Sequence, residues 1–294
     1  MTQENLTLIE RKKTEQIAGP WTAHNIQLRP GVCTMASDYP GDADRLRKVL
    51  KIASDFARKP LSDLRILDLG CMEGLFAVEF ALHGADVMAV DAREENLIKL
   101  KFVKEALKLD RLQIVQDDVR DLSLEKYGSF DLVLCLGVFY HLDAPDVFLF
   151  AENLFSVCRH AVIFDTHLSL QEECVKEFRG NSYAGRIYKE TAQHAKDFRT
   201  PLWASFKNTE SFWLTRAAFY NLIINSGFSS LYECHEPTFN ERRSDRVMMT
   251  AVKTPDLSVK AWPGADHLVR TTAVESGLHP PRKPYGYKKP EGSA

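Results

Sequence analysis

The hydrophobic and polar positions of the chain predict strands and helices in regular alternation between residues 64 and 165. Five short apolar runs have the length of strands, at 64–69, 85–90, 112–116, 130–137 and 161–165. Between them, apolar residues recur at every third or fourth position and predict helices at 75–82, 93–108 and about 144–158. Strands that alternate with helices in this way are typical of a mostly parallel α/β sheet.

The region before this alternation predicts two helices joined by an extended stretch that Pro20 and Pro30 interrupt. In the first helix, at 4–17, Leu6, Ile9, Lys13 and Ile17 are spaced to share one face. The second helix, at 42–57, has its apolar residues on one side. We expect residues 1–60 to form a cap over a ligand site, with simple packing on the sheet edge as the alternative.

The pattern changes after residue 165. Residues 167–212 are polar, aromatic and poorly periodic, and a long insertion at this place in an α/β sheet predicts a lid over the ligand site. A helix at 215–226 and two strands at 230–235 and 246–253 follow, and we expect these strands to pair in antiparallel fashion at the sheet edge. The core therefore spans 61–254, and 255–294 predicts an extended tail rich in Pro, Gly and Lys.

The turn after the first core strand carries the main chemical signal. It reads D-L-G-C-M-E-G, with Gly70 and Gly74 four residues apart, and the next strand ends on Asp91. Glycines let the backbone approach a ligand closely, and an acid at the second strand end binds ribose hydroxyls in nucleoside-binding sheets. This βαβ unit therefore predicts a nucleoside site, although a βαβ unit with a plain glycine turn is the simpler alternative.

This turn resembles motif I of class I S-adenosylmethionine (SAM) methyltransferases. The resemblance implies a Rossmann-like α/β fold, with a mostly parallel seven-stranded sheet and an antiparallel edge strand, and SAM as cofactor with S-adenosylhomocysteine (SAH) as product. It implies cofactor contacts at Asp68, Gly70, Cys71, Gly74, Asp91, Ala92, Asp118, Val119, Leu136 and Gly137. For Asp118, a role as cap of the following turn is the alternative.

Composition narrows the class of partner. The 294 residues carry a formal net charge of −2, which gives no electrostatic reason to expect a nucleic-acid partner. Neither a signal peptide nor an apolar run of membrane-spanning length is recognisable, so we expect a cytoplasmic protein with no membrane partner. The six cysteines are scattered without C-x-x-C spacing, and we expect no metal site.

Three further stretches resemble the wobble-uridine tRNA carboxymethyltransferases and their small-molecule relatives. They are L-G-V-F-Y-H-L-D-A-P at 136–145, F-W-L-T-R-A-A-F-Y-N-L-I-I-N-S-G-F at 212–228 and D-R-V-M-M-T-A at 245–251. In those tRNA enzymes a tyrosine and an arginine at the positions of Tyr140 and Arg246 face the carboxylate of carboxy-SAM.

Methyl transfer from a sulfonium is an in-line displacement, and a base is needed only when the acceptor arrives protonated. His141, just past the fourth core strand, is the candidate base, with a spacer role as the alternative, and Tyr140 is a candidate contact. Candidate acceptor contacts are Trp21, His24, Arg186, Tyr188, Trp203, Trp213 and Arg246, and packing of the lid is the alternative for the aromatic ones. We expect methyl transfer to an O or N atom of a small molecule. The alternatives are tRNA wobble-uridine modification and an inactive SAM-binding regulatory partner.

Overall fold

The computed structural model describes residues 3–36, 42–190, 203–235, 245–255 and 258–262. The predicted tail therefore lies mostly outside the described residues, as does part of the predicted lid. The N-terminal region comprises helix α1 (Gln3–Ala18), a short hairpin of β1 (Gln27–Arg29) and β2 (Val32–Cys33), and helix α2 (Ala43–Phe56).

The central region alternates as the sequence predicts. Its elements are β3 (Arg65–Leu69), α3 (Leu75–Leu82), β4 (Asp86–Asp91), α4 (Glu94–Leu107), β5 (Leu112–Gln116), α5 (Leu124–Tyr127), β6 (Phe130–Leu136), α6 (Asp146–Val157) and β7 (Cys158–His167). All seven residues of β6 are buried, as expected for a central strand that helices cover on both faces.

The segment predicted as a lid contains regular structure that the weak periodicity of its sequence does not indicate. Strands β8 (Cys174–Phe178), β9 (Asn181–Lys189) and β10 (Glu210–Leu214) form a separate three-stranded antiparallel sheet. Strands β8 and β9 form a hairpin across Arg179 and Gly180, whereas the chain between residues 190 and 210 separates β9 from β10, so no local sequence window shows this second pairing. The chain then forms α7 (Arg216–Asn225), β11 (Ser230–Glu233) and β12 (Arg246–Val252).

The main sheet has seven strands in the order β11–β12–β7–β6–β3–β4–β5. The five strands from β7 to β5 run parallel, whereas β12 runs antiparallel to both of its neighbours. This is the Rossmann-like methyltransferase fold expected from the sequence. The strand order reverses between β3 and β6, which is where open α/β sheets form a ligand crevice.

Each face of the main sheet has its own hydrophobic core. Helices α2, α3 and α4 cover one face, and α6, α7 and the small sheet cover the other. Phe148 of α6 stacks on Phe178 and Tyr183 and meets Phe212 edge to face, with ring centroids 5.1 to 5.9 Å apart. Because Tyr183 and Phe212 are fully buried, one side of this small sheet packs into the core, while the middle of β8 is exposed.

The predicted buried face of α1 was wrong. Ile9 and Ile17 are 41% and 72% exposed, while Thr7, Thr14 and Ala18 are buried. The helix packs against α4, and polar contacts fix its rotation, including a hydrogen bond from Arg11 to the carbonyl of Cys33. No helix among the described residues has both the length and the apolar character that a membrane span requires.

Candidate functional site

A cavity of about 270 Å³ lies at the carboxyl ends of the parallel strands. The turns after β3, β4, β5 and β6 line it, together with the start of α2, the start of β12 and residues between 203 and 208. It therefore occupies the crevice that the strand order creates.

The turn after β3 forms one wall of the cavity. Gly70 has a φ of +64°, and a Cβ at this position would lie 3.1 Å from Cγ2 of Val138. Met72 also has a positive φ, of +50°, and its N–H donates a hydrogen bond of 2.9 Å to Oδ2 of Asp91. The turn is thus a tight backbone cradle tied to the end of β4.

Asp91 is held in place by three donors. Besides Met72, the backbone N–H of Arg93 (2.9 Å) and the amide of Asn96 (3.2 Å) donate to Oδ1. Burial raises the pKa of Asp91, which is only 5% exposed. A carboxylate has about four acceptor positions, so Asp91 keeps capacity for a ligand hydroxyl in the cavity that it lines.

Three predicted cofactor residues lie beneath the cradle and do not line the cavity: Asp68, Cys71 and Gly74. Asp68 is 1% exposed, and burial raises its pKa to about 7. Gly74 begins α3 with a φ of +87°, and a Cβ there would lie 2.2 Å from Cδ1 of Leu100. The observed role of this glycine is close packing of α3 against α4.

The turn after β5 contributes Asp118 and Val119 to the cavity wall. The capping role considered for Asp118 is present, since its Oδ1 accepts a 3.1 Å hydrogen bond from the N–H of Arg120. The guanidinium of Arg120 donates to both oxygens of the same carboxylate. Ala92, Leu136 and Gly137, which are also predicted cofactor contacts, line the cavity as well.

Tyr140 and His141 lie on a short 3-10 turn after β6, and both line the cavity. Nδ1 of His141 lies 3.0 Å from Oε1 of Glu190, which follows β9. Ser211 donates to the same oxygen. Burial opposes ionisation of Glu190, but the bonds from His141 and Ser211 outweigh it and lower the pKa of this carboxyl. An ionised Glu190 therefore sits behind His141.

We call residues 203–208 the strap, because they cross the cavity. Arg93 donates to the carbonyls of Ala204 (2.9 Å) and Ser205 (3.0 Å), and Arg120 donates to the carbonyl of Phe206. At the end of the strap, Asn208 donates a 2.8 Å hydrogen bond to the carbonyl of His141, and both residues line the cavity. The strap thus joins the turns after β4 and β5 to the turn after β6. Trp203, at its start, lines the cavity and is 52% exposed.

The predicted acceptor residues Trp21 and His24 lie in the interior instead. Trp21 is 5% exposed and packs against Phe102 of α4. His24 is 3% exposed, and its Nδ1 accepts a 3.1 Å hydrogen bond from the N–H of Leu75 at the start of α3. Burial lowers the pKa of His24, which favours this neutral acceptor form. Ala23, between them, is the leader residue that lines the cavity.

Three other predicted acceptor residues stack on one another rather than line the cavity. Trp213 stacks on Tyr188 at 4.4 Å and on His167 at 4.9 Å, and the guanidinium of Arg186 lies 4.5 Å from the Trp213 ring centroid. The edge of this stack reaches Tyr140, with ring centroids of Tyr140 and Trp213 5.8 Å apart. The stack supports the wall of the cavity from behind.

Arg246 lines the cavity, but its guanidinium is already paired. Its Nε and Nη2 donate to Asp165 at 2.7 and 3.1 Å. Nε of Arg45 in α2 donates to the same carboxylate. Burial opposes ionisation of Asp165, yet the two guanidiniums outweigh it and lower its pKa to about 2.

Comparison with known proteins agrees with this arrangement. A model of the family described as "Methyltransferase domain" matches residues 66–161, which hold the cradle, Asp91, Tyr140 and His141. A ubiquinone biosynthesis O-methyltransferase from Xanthomonas oryzae pv. oryzae is 30% identical over 180 residues, 59% of this chain and 74% of that protein. The chain belongs to the SAM-dependent methyltransferases.

Other relatives are more distant or match over less of their length. A ubiquinone biosynthesis O-methyltransferase from Acinetobacter baumannii is 28% identical over 49% of this chain, and the match covers only 56% of that relative. The N-terminal domain of EvdMO1, crystallised in the presence of SAH and D-fucose, superposes with a TM-score of 0.65 at 23% identity, over 86% of this chain and 98% of that domain. The narrower resemblance to tRNA-modifying methyltransferases stays a prediction.

The residues of this methyltransferase fit SAM as its cofactor. The two positive-φ glycines of the cavity, Gly70 and Gly137, leave room for close backbone approach, and Asp91 at the end of β4 offers a carboxylate to hydroxyl groups. The cavity extends along the sheet edge from the turn after β5 to the turn after β6, which is where open α/β sheets bind nucleotides.

Sequence reasoning missed several charged residues of this site, among them Arg45, Asp165 and Glu190. Asp165 carried a usable signal, since a carboxylate at the end of a buried apolar strand requires a partner. Arg45 and Glu190 carried none. Their partners are 120 and 49 residues away in the sequence, so only the fold brings them together.

Proposed function

We propose that this methyltransferase moves the methyl group of SAM to an oxygen or nitrogen atom of a small molecule, with His141 as the base that accepts the acceptor's proton. The observation that carries the proposal is the pairing of His141, on the cavity wall, with the buried carboxylate of Glu190 at 3.0 Å. A histidine that only fills space would not require an ionised carboxylate as a hydrogen-bond partner at Nδ1.

We assign the cofactor contacts from the cavity wall. Asp91 accepts hydrogen bonds from the ribose hydroxyls, and Asp118 with the N–H of Val119 faces the adenine. The cradle at Gly70 and the backbone near Gly137 face the methionine part. Asp68, Cys71 and Gly74 act from beneath by fixing the shape of the cradle.

SAM supplies an electrophilic methyl group on its sulfonium. The ionised Glu190 accepts a hydrogen bond from Nδ1–H of His141, which leaves Nε2 unprotonated and able to take a proton. The carboxylate also stabilises the imidazolium that forms. A hydroxyl acceptor gains more from such a base than an amine that is already neutral, so the pair favours oxygen over nitrogen.

The strap is an argument for a small-molecule acceptor. Its carbonyls are bound to Arg93 and Arg120, so it closes the cavity on the side of the cofactor loops and excludes water from the reacting groups. Trp203, half exposed at the cavity wall, offers an aromatic surface to an entering molecule. The curated relatives are named O-methyltransferases of ubiquinone biosynthesis, which agrees with oxygen as the acceptor atom.

Modification of tRNA is the second candidate. It is favoured by one observation, namely that Tyr140 and Arg246 line the same cavity, as the resemblance to the carboxymethyltransferases implies. The pairing of Arg246 with Asp165 leaves less of its guanidinium for a carboxylate on the transferred group.

The test follows the transfer of label from methyl-labelled SAM to small molecules in a cell extract. His141→Asn should lower the rate about 10²-fold or more, with recovery as the pH approaches the pKa of the acceptor. Glu190→Gln should lower it less, because the histidine remains but loses the partner that orients it. The control His83→Asn changes an exposed histidine and should leave the rate unchanged. Full activity of His141→Asn at neutral pH would contradict the base assignment.

A further inference from the structure

The strap is held by polar contacts rather than by burial in a hydrophobic core. Its three apolar residues, Trp203, Ala204 and Phe206, belong to neither of the two cores that cover the main sheet. Phe206 is only partly buried, and Lys207 beside it is exposed. A segment with few buried apolar contacts opens locally at a low cost in free energy, so the polar contacts decide how often the strap opens.

Two arginines hold the strap on the side of the cofactor turns. Nη2 of Arg93 donates to two successive strap carbonyls, and its guanidinium lies 5.4 Å from the ring centroid of Phe206. Nη2 of Arg120 donates both to the carbonyl of Phe206 and to Oδ2 of Asp118. Each arginine lies two residues past an acid that we assign to the cofactor, Asp91 or Asp118. The strap therefore crosses the end of the cavity that we assign to the adenosine part.

A second anchor lies at the other end of the strap, near His141. Nδ2 of Asn208 donates to the carbonyls of His141 and Glu210, both at 2.8 Å. The residue before it, Lys207, has a φ of +69°, a left-handed conformation that costs free energy in any residue other than glycine. Such a conformation persists only where surrounding contacts impose it. The strap is thus a strained segment that is fastened on two sides.

We propose that the strap is a gate for cofactor exchange, which opens to admit SAM and to release SAH, and that the side chains of Arg93, Arg120 and Asn208 hold it shut. These contacts are made within the protein, so they act in the free protein and in the cofactor complex alike. Weakening them therefore speeds entry and release by the same factor and leaves the equilibrium affinity nearly unchanged. The gate goes beyond the proposed function, because it concerns the cofactor and not the acceptor.

The test measures the kinetics of SAH binding and needs no turnover, so it is independent of the proposed function. Arg93→Met removes the side-chain contacts with the strap, while the backbone N–H of residue 93 still donates to Asp91. Stopped-flow tryptophan fluorescence gives both rate constants, since Trp203 lines the cavity. Arg111→Met is the matched control, because Arg111 also donates to two backbone carbonyls but does so away from the cavity.

Arg93→Met should raise the rate constants of SAH binding and SAH release together, each about 10- to 100-fold, with the dissociation constant changed less than about threefold. Hydrogen exchange of the strap amides should accelerate by the same factor, and Arg111→Met should change neither quantity. Asn208→Ala, at the far end of the strap, should show the same paired increase and carries the test if Arg93→Met does not fold.

Two results would overturn the gate. A contact with the cofactor differs from a gate in its kinetics, because losing such a contact raises mainly the rate of release. Faster release of SAH without faster binding would therefore make Arg93 a cofactor contact. Unchanged rate constants in both Arg93→Met and Asn208→Ala would show that the strap does not lie on the path of exchange.

Discussion

The buried ion pair between Glu73 and Lys99 provides the sharpest test of how the N-terminal region joins the cofactor cradle. Both side chains are fully buried, with Nζ of Lys99 2.9 Å from Oε1 of Glu73. The same carboxylate accepts hydrogen bonds from the backbone N–H groups of Thr22 (2.7 Å), Ala23 (3.2 Å) and His24 (3.0 Å). Glu73 belongs to the glycine turn, so one carboxylate ties the leader to the cradle.

The loss in free energy of unfolding depends on which buried groups lose their partners. Removing one member of a buried ion pair costs about 3 to 5 kcal/mol. Lys99→Met leaves Glu73 with its backbone donors and should fall near the lower value. Glu73→Gln leaves the buried Lys99 ammonium without a counter-charge, with the carbonyl of Pro20 as its remaining acceptor, and turns an amide NH₂ toward donors, so it should reach or exceed the upper value. The double variant should cost less than the sum of the two.

Urea denaturation followed by circular dichroism gives these free energies of unfolding. The matched control is Lys101→Met, an exposed position on the same helix, which should change stability by less than about 0.5 kcal/mol. SAH affinity of Glu73→Gln should also fall, because Ala23 of the tied leader lines the cavity. A Glu73→Gln protein as stable as the control would refute the anchoring role.

Three further predictions concern the cradle. Gly74→Ala should lower the free energy of unfolding by about 2 to 4 kcal/mol, through backbone strain and the clash with Leu100. The control Gly31→Ala has a φ of +76° but nothing within 4 Å of the added Cβ, so the same urea assay should show the cost of the strain alone. The free energy of unfolding should fall as pH rises from about 4 to about 7, because native Asp68, with its pKa of about 7, keeps its proton in a range where the unfolded chain has lost it. The total loss reaches about 4 kcal/mol by pH 8. Asp68→Asn should remove this dependence of stability on pH. Asp91→Ala should weaken SAH by about 1 to 3 kcal/mol in calorimetry, and unchanged affinity would remove Asp91 from the site.

The parts of the site that the sequence predicts are those that directly follow strands with a clear apolar pattern. Gly70 and Asp91 are 21 residues apart, and the intervening helix and strand have clear periodicity, so their meeting at one sheet edge follows from the fold class. The same reasoning places Tyr140 and His141 at the end of β6, and the structure finds them on the cavity wall.

The parts that the sequence does not predict depend on long-range packing. Aromatic residues suggested Trp21 and Trp213 as acceptor contacts, but a large apolar side chain gains as much from burial in a core as from a pocket, and both are buried. Glu190 lies at the end of a strand in the small sheet, and its contact with His141 exists only because that sheet packs on α6. No local pattern encodes such a contact.

Transfer of label from methyl-labelled SAM is the most direct measurement of the central claim. The purified protein is incubated with labelled SAM and a cell extract, and the extract is then separated into small molecules, RNA and protein. The account predicts label in the small-molecule fraction, at a rate that His141→Asn lowers about 10²-fold or more. Label in the RNA fraction, or no transfer to any fraction, would contradict it.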